Sequence, residues 1–422
     1  MYRYFMPAHR ETLIAAVALW GAGACAHPGA GGGPVTPTPE AAEESCLLST
    51  GDVSAHAATI TIGLSEPVEP RHAPFARNDA ERLVFRHLYE TPVRVDCEGH
   101  VRPALAARWD KEDGGRRWTF HLRDGAQFWD GAPVTARDVV FGKGGVGYTL
   151  GAPENGVIAV SFAKANDDVP PLLGDASLGV AKPAPDSSWP IGTGAYWATS
   201  ATTTPQEIRA HTSRGDTLVF KLATSGDAGD LLDAGVDLLV TRDRGLRDYG
   251  ATLPNHAVVA LPWDRTYVYI SAEAGTTRFD GLEQAVRAEA RRAEGDFWWR
   301  DLRACGIARD TAPPAPTSKR ILYSRGDQTA RELAGRLAAL THAVATGRAP
   351  DDFRAALAGG KDWGYVVALP RMTADACRSA RDLLPTWPAA FTALVDTRPT
   401  AIVRRGVARW TVDQDGSVHL AP

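Results

Sequence analysis

The sequence lacks the short motifs that mark common hydrolases, metalloproteases and nucleotide-binding enzymes. It has no GxSxG, no HExxH, no Walker A loop and no GxGxxG before a predicted helix. Gly142-Lys143-Gly144-Gly145 is rich in glycine but lacks the spacing of a phosphate-binding loop. The 11 histidines are scattered, and none pairs with another at metal-ligand spacing. We therefore expect no catalytic residues, no metal and no cofactor.

An excess of positive charge is also missing. The 46 Lys and Arg residues against 50 Asp and Glu residues give a formal net charge of −4, which argues against a nucleic-acid partner. After the first 24 residues no apolar run approaches the roughly 20 residues that a membrane-spanning helix needs. The 422 residues exceed what one hydrophobic core usually serves, so we expect two or three lobes.

The N-terminus is typical of an export signal. Arg3 and Arg10 supply positive charge, and the apolar run over residues 12–24 is too short to span a membrane. Ala22-Gly23-Ala24-Cys25 resembles a lipobox, in which the cysteine is acylated and becomes the new N-terminus. We predict a lipoprotein signal peptide over 1–24, a lipid on Cys25 and a flexible tether over 25–57. The alternative is an ordinary cleaved signal peptide with an unmodified cysteine.

The most informative stretch runs from Leu83 to Phe141. It predicts a helix, a short strand and a helical turn that ends at Trp109. Two strands joined by Asp124-Gly125 follow, and a last helix opens at Thr135, where Thr135-Ala-Arg-Asp138 has the spacing of a capping box. Four blocks in this stretch carry a family pattern: Leu88-Tyr89-Glu90, Pro103-Ala104-Leu105-Ala106, residues 118–125 and residues 130–139.

These blocks resemble the family 5 extracellular solute-binding proteins of ATP-binding-cassette importers, which carry peptides, nickel chelates and related solutes. Residues 187–196, which contain Gly192-Thr193-Gly194, match a later family segment. Beyond it, periodicity predicts a strand at 266–270, a strand and then an amphipathic helix over 319–340, and a helix and then a strand over 353–369. Phe297-Trp298-Trp299 lies in a predicted helix and is expected to pack in the core, with the wall of a binding site as the alternative.

The resemblance implies an α/β, two-lobed periplasmic-binding-protein-like fold of the class II type with an extra inserted domain. Lobe I would combine residues 58–70, 186–265 and 396–422. Residues 71–185 would form the inserted domain II, and 266–395 would form lobe III, shortened relative to the family.

Four cysteines remain after Cys25, and an even number in an exported chain favours two disulfides. Three connectivities are possible. Cys305 and Cys377 fall in the same predicted lobe, so that pair is favoured, with Cys46–Cys97 as the other. Four buried free thiols are the alternative.

The resemblance implies ligand contacts at Glu66, Tyr267, Tyr269 and the loop that holds Arg371. Glu66 could pair with a ligand amine or be a solvated loop carboxylate. Peptide-binding members carry Trp-x-x-Asp at the Arg371 loop, and the match here, residues 368–372, has neither residue. Arg371 would suit an anion or a carboxylate, although a plain surface role is the alternative.

The predicted function is therefore a lipid-anchored solute-binding component of an importer, in the cell envelope on the extracytoplasmic side. Its partners would be a small-molecule or peptide-like ligand, the importer permease and the membrane that holds the N-terminal lipid. The alternative is a degenerate family member without a transport role that acts as an envelope interaction or assembly protein. An enzyme is not expected.

Overall fold

The computed structural model describes residues 46–48, 58–140, 148–198, 206–223, 226–271, 281, 282, 284, 297–299, 304–306, 319–371 and 390–421. The predicted signal peptide, Cys25 and Cys377 lie outside these ranges. No helix within them is long and apolar enough to cross a bilayer.

The described chain is rich in short strands. The strands are β1 (Thr59–Leu64), β2 (Val93–Val95), β3 (Val101–Pro103), β4 (Ala106–Glu112), β5 (Arg117–Leu122), β6 (Tyr148–Glu154), β7 (Val157–Phe162), β8 (Ala181–Lys182), β9 (Ile191–Gly192), β10 (Trp197–Ala198), β11 (Glu207–His211), β12 (Thr217–Leu222), β13 (Leu238–Thr241), β14 (His256–Ala260), β15 (Arg265–Ser271), β16 (Phe297–Trp299), β17 (Ala304–Gly306), β18 (Arg320–Ser324), β19 (Val344–Arg348), β20 (Gly364–Pro370), β21 (Ala390–Thr397), β22 (Thr400–Arg404), β23 (Trp410–Val412) and β24 (Val418–Leu420). The helices are α1 (Asp79–Leu88), α2 (Ala136–Val140), α3 (Gly229–Asp233), α4 (Arg244–Thr252), α5 (Gln328–Thr341) and α6 (Pro350–Gly359).

The first large sheet has the strand order β10-β11-β12-β1-β13-β22-β14. Its strands come from residues 58–70, 186–265 and 396–422, the three segments predicted for lobe I. β1 lies between β12 and β13 and runs parallel to both. Its buried positions are apolar because the strand is central, and Ile60 and Ile62 are fully buried. Helix α1 lies within the predicted domain II, yet its apolar face packs on the same core.

Residues 71–185, the predicted domain II, contain a four-stranded antiparallel sheet, β4-β5-β7-β6, with a hydrophobic cluster of its own. Half of the predicted capping box is present, because the backbone N–H of Thr135 donates to Asp138 Oδ2 at 2.8 Å. The Thr135 hydroxyl donates to the same oxygen at 2.7 Å, and the Asp138 N–H donates to the Thr135 carbonyl at 3.1 Å. Two expectations are wrong. Trp109 lies in strand β4 rather than at the end of a helical turn, because β4 pairs with β5 and places Trp109 opposite Phe120. Asp124-Gly125 does not join two strands but leads from β5 into a loop before α2.

The second large sheet has the order β16-β21-β15-β20-β18-β19, with β17 also paired to β21. Its central strand β15 is buried on both faces, since one face packs with α5 and the other with α6. The predicted strand–helix order over 319–340 and the helix–strand order over 353–369 are confirmed. The helix predicted around Phe297 is wrong, because Phe297–Trp299 pairs as a strand with β21.

Two glycines let the segment around β9 approach α1 closely. A Cβ on Gly192 would lie 2.1 Å from the carbonyl oxygen of Leu88, and one on Gly194 would lie 2.5 Å from that of His87. Such contacts are possible only without a side chain, so the Gly-Thr-Gly pattern reflects close packing of the chain onto the C-terminus of α1.

The predicted Cys46–Cys97 disulfide is present, with Cα atoms 5.6 Å apart. Residues 46–48 also pair with the C-terminal hairpin, since Leu48 N–H donates to the Trp410 carbonyl at 2.8 Å. These three residues therefore belong to the folded body, although they fall inside the predicted tether 25–57. The Cys305–Cys377 pairing lies outside the described residues, because Cys377 is not among them.

Candidate functional site

Two crossing segments connect the sheet of lobe I to the sheet of lobe III. Residues 261–264 lead from β14 to β15, and Arg398-Pro399 lead back from β21 to β22. The two run side by side, because Leu261 N–H donates to the Pro399 carbonyl at 3.0 Å. The guanidinium of Arg398 also lies 4.5 Å from the centre of the Trp263 ring. These segments place the ends of β15 and β21 beside lobe I.

A cluster of charged side chains lies at this junction. We call Asp79, Arg82, Arg242, Asp264 and Arg265 the junction cluster. Arg242 Nε lies 2.7 Å from one carboxylate oxygen of Asp79, and Arg242 Nη2 also contacts Asp264. Arg265 Nη2 contacts Asp79, and Arg82 Nη1 lies 3.3 Å from Asp264. Three guanidinium groups thus share two carboxylates where α1, lobe I and β15 meet.

The electrostatics of the junction cluster follow from this sharing. Burial alone would raise the pKa of Asp79, but the guanidinium groups of Arg242, Arg265 and Arg82 hold it well below its usual range. The pKa of Arg242 is raised despite burial, chiefly by Asp264 and Asp79. The Arg82 side chain retains 25% of its accessible surface, while Asp264 retains 1%. Asp79 retains 28%, and Arg242 and Arg265 retain 17% and 16%, so the accessible part of the cluster contains the Asp79 carboxylate as well as the guanidinium groups.

Glu66 lies in the loop after β1, with its side chain partly buried at the edge of the junction cluster. Its Oε2 accepts the backbone N–H of Asp79 at 3.0 Å, at the N-terminus of α1. Asn78 caps the same helix by accepting the N–H of Glu81 at 2.7 Å. Burial and the neighbouring Asp79 raise the pKa of Glu66. The carboxylate is thus already engaged by the helix end.

Tyr267 and Tyr269 lie inside lobe III. Both rings are buried in the core that packs on α5, with 0% and 2% of their surface exposed. The Tyr267 hydroxyl donates to Asp327, and the Tyr269 ring centre lies 6.4 Å from that of Trp363. Direct ligand contact by these rings stays a prediction. In this structure the residue of β15 that faces the junction is Arg265.

Arg371 lies at the junction, at the end of β20. Its backbone N–H donates to the Asp264 carbonyl at 2.7 Å. Its Nε lies 3.6 Å from Oδ2 of Asp396, a fully buried residue whose Oδ1 accepts the Thr266 hydroxyl at 2.6 Å. The structure thus brings Glu66 against Asp79 and Arg371 against Asp264, and it buries the two tyrosines in the lobe III core.

Sequence reasoning missed the three arginines of the junction cluster. Arg82, Arg242 and Arg265 come from three separate parts of the chain, and none belongs to a recognisable motif. The available signals were Asp264-Arg265 just before a predicted strand, and Asp79 and Arg82 three residues apart on one predicted helix. Among the described residues no group of three or more His, Cys, Asp or Glu side chains could hold a metal ion.

Comparison with known proteins adds a sequence match in the middle of the chain. Residues 100–209 match the model of bacterial extracellular solute-binding proteins, family 5 Middle. The probable deoxycholate-binding periplasmic protein YgiS of Escherichia coli is 51% identical over 65 residues, 15% of this chain and 12% of YgiS. The periplasmic oligopeptide-binding protein OppA of Salmonella typhimurium is 46% identical over 61 residues, 14% and 11% of the two chains. The chain thus matches only about one eighth of the length of these curated relatives.

Solved structures are similar over most of the chain. AgaA of A. tumefaciens R10, in complex with agropinic acid, has a TM-score of 0.61 at 14% identity, covering 86% of this chain and 99% of AgaA. NikA of Brucella suis, in complex with Fe(III)-EDTA, has a TM-score of 0.59 at 13% identity, covering 86% and 99%. The unliganded open form of the murein tripeptide-binding protein MppA has a TM-score of 0.53 at 13% identity, covering 88% and 98%. The predicted two-lobed α/β fold is therefore confirmed.

Proposed function

We propose that this chain, which resembles the family 5 extracellular solute-binding proteins in sequence over residues 100–209 and in fold over most of its length, is the solute-binding component of an ATP-binding-cassette importer. It works on the extracytoplasmic side, binds a small peptide-like or anionic solute between lobes I and III, and delivers it to a permease. The observation that carries this proposal is the arginine-rich junction cluster at the meeting point of two lobes.

The junction cluster favours an anionic or zwitterionic solute over a cationic one. Arg82, Arg242 and Arg265 offer more N–H donors than the carboxylates of Asp79 and Asp264 can accept, because each guanidinium carries five. A ligand carboxylate can take up donors that remain, whereas both carboxylate oxygens of Asp79, the more exposed acid of the cluster, are already engaged by Arg242 and Arg265. The similar protein AgaA has an acid, agropinic acid, in its complex, which supports the same class of solute here.

The Arg371 loop supports the same choice. Peptide-binding members of the family hold the ligand amino group with the Asp of Trp-x-x-Asp, which residues 368–372 lack. Arg371 stands there instead, with 20% of its side chain exposed. A charge-assisted hydrogen bond to a ligand carboxylate is worth about 1.5–3 kcal/mol, so losing it weakens binding about tenfold or more.

A binding screen tests the proposal. The purified folded body is screened by thermal shift against acidic, neutral and basic tripeptides and against small di- and tricarboxylates. We expect acidic or zwitterionic solutes to raise the melting temperature, and Arg371→Ala to weaken the best of them at least tenfold in calorimetry. Arg209→Ala, at an exposed arginine on β11 paired with Glu207, serves as the matched control. Selective binding of basic peptides, or unchanged affinity in Arg371→Ala, would refute this site.

The lipid anchor is a separate part of the proposal. It is supported by Ala22-Gly23-Ala24-Cys25 and by the polar, glycine-rich stretch that follows. Cells that express the wild type or Cys25→Ser are fractionated, and the protein is detected in membrane and soluble fractions. We expect the wild type in the membrane fraction and the variant outside it. A variant that stays with the membrane like the wild type would end the anchor hypothesis.

The second candidate function is an envelope interaction or assembly protein without a transport role. The absence of Trp-x-x-Asp and the shortened lobe III favour it. A broad screen in which no solute of any charge binds would replace the transport proposal with this one.

A further inference from the structure

One ion pair joins lobe I to lobe III away from the crossing segments. Arg77 lies in the loop before α1, whose apolar face packs on the lobe I core. Asp351 lies in the first turn of α6 in lobe III. Arg77 Nη1 lies 2.8 Å from both carboxylate oxygens of Asp351, although the two residues are 274 positions apart. The contact is therefore between two lobes and not within one.

The strand directions explain why these residues face each other. β18 runs parallel to both β19 and β20, so the carboxyl-terminal ends of all three strands lie on the same side of the lobe III sheet. β20 ends there with Pro370, next to the junction, and α6 begins there after β19. The loop that carries Arg77 belongs by sequence to the predicted domain II, but it follows the carboxyl end of β1, and its Ala76 packs on the lobe I core. Arg77 and Asp351 thus lie beyond the carboxyl-terminal ends of strands in the two sheets. In folds of this kind the binding cleft opens at those strand ends.

The chemistry of the pair suits a contact that can be made and broken. The side chains of Arg77 and Asp351 keep 33% and 66% of their accessible surface, so separating them leaves no buried charge. The hydrogen bond from Arg77 lowers the pKa of Asp351. Asp351 also contacts Arg354 on its own helix, so its carboxylate keeps a partner when the lobes part. Exposed ion pairs of this kind change an equilibrium by only about two- to fivefold.

We propose that Arg77 and Asp351 form a latch that is made when lobes I and III approach and that biases the ligand-free protein toward the closed arrangement. Rotation about the crossing segments must break the latch, because its two members belong to the two bodies that separate. The proposal rests on the proposed function in one respect. If solute binds between the lobes, its apparent affinity depends on the fraction of protein molecules in the conformation that can bind it. The latch changes that fraction.

The experiment measures lobe separation without any ligand. Fluorophores are attached through unnatural amino acids at Arg214, in an exposed turn of lobe I, and at Val344, an exposed position of lobe III. Single-molecule energy transfer then gives the fraction of closed molecules. We expect Arg77→Ala and Asp351→Asn each to lower the closed-to-open ratio about two- to fivefold. The double variant should show no further loss, and exchanging the charges with Arg77→Asp and Asp351→Arg should restore the ratio.

Arg354→Ala is the matched control, because it removes a partner of Asp351 on the same helix without touching Arg77. It should leave the closed fraction unchanged or raise it. Added salt should open the wild type and have little effect on Arg77→Ala, because screening acts on exposed pairs. Unchanged transfer distributions in both single variants, or failure of the charge exchange to restore the ratio, would overturn the latch. These outcomes need no solute, so they are independent of whether the proposed binding function holds.

Discussion

The hydroxyl group of Tyr267 lies 3.0 Å from each carboxylate oxygen of Asp327, and Asp327 Oδ1 also accepts the backbone N–H of Ala330 at 2.9 Å. One carboxylate therefore caps helix α5 and ties it to the central strand β15. Because Tyr267 is completely buried, this hydrogen bond gives the tyrosine a structural role in lobe III.

Tyr267→Phe should therefore lower the free energy of unfolding by about 1.5–3 kcal/mol, since it removes a hydrogen bond to a charged group. Chemical denaturation measures this change. Tyr249→Phe is the control, because Tyr249 donates to Asp233 at the exposed surface and should cost much less. A Tyr267→Phe variant with wild-type stability but weaker solute binding would instead support the predicted ligand contact.

Gly192→Ala should disrupt the contact between β9 and α1. The added Cβ would lie 2.1 Å from the carbonyl oxygen of Leu88, and a backbone atom cannot move aside cheaply. Overpacking of this severity should cost more than about 3 kcal/mol or prevent folding. In Gly151→Ala the new Cβ meets nothing within 4 Å, so its stability should be close to that of the wild type. Equal stability of the two variants would show that the close approach is not needed.

The buried imidazole of His87 should make the protein sensitive to acid. Burial, together with the neighbouring His419, lowers the pKa of His87 to about 3 in the folded state from 6.5. The unfolded chain therefore takes up a proton below pH 6.5 that the folded chain does not take up until about pH 3, so stability falls as the pH falls through this window. Between pH 6 and pH 4 the loss should be roughly 2–3 kcal/mol from this group alone.

The pH dependence of His87→Gln tests this assignment. Urea unfolding at several pH values between 4 and 6 should give a shallower slope for the variant than for the wild type. His100→Gln is the control, because the side chain of His100 is 57% exposed, and it should keep the wild-type slope. If His87→Gln keeps the full acid slope, the effect comes from other groups.

The Cys46–Cys97 disulfide should stabilise the body by closing a loop with a sequence separation of 51. On chain-entropy grounds the contribution is about 4 kcal/mol. We expect Cys46→Ser, Cys97→Ser and the double variant to lose similar amounts, as measured by denaturation without reductant. Peptide mass mapping under non-reducing conditions checks the bond itself, and free thiols at both positions would contradict it.

Much of the architecture was readable in the sequence because it depends on local rules. The spacing of Thr135 and Asp138 predicted the start of α2, and the alternation of β-branched and aromatic residues predicted β15. Where the local sequence pattern predicted a helix but a neighbouring strand was available for hydrogen bonding, the segment formed a strand. Trp109 joined β4 because β5 offered it a hydrogen-bonding edge, and Phe297–Trp299 became a strand against β21 for the same reason.

The sequence by itself therefore indicated the class of fold, the order of its segments and the Cys46–Cys97 pairing, which was the second pair once Cys305 and Cys377 were placed in one predicted lobe. The tertiary structure alone decided what surrounds each candidate residue. It turned Tyr267 and Tyr269 inward, because a central strand flanked by α5 and α6 has no exposed face. It also gathered Arg82, Arg242 and Arg265 at one junction, and it set Arg77 against Asp351. Contacts between residues so far apart in the chain arise only when separate strands and helices dock, and no local pattern encodes them.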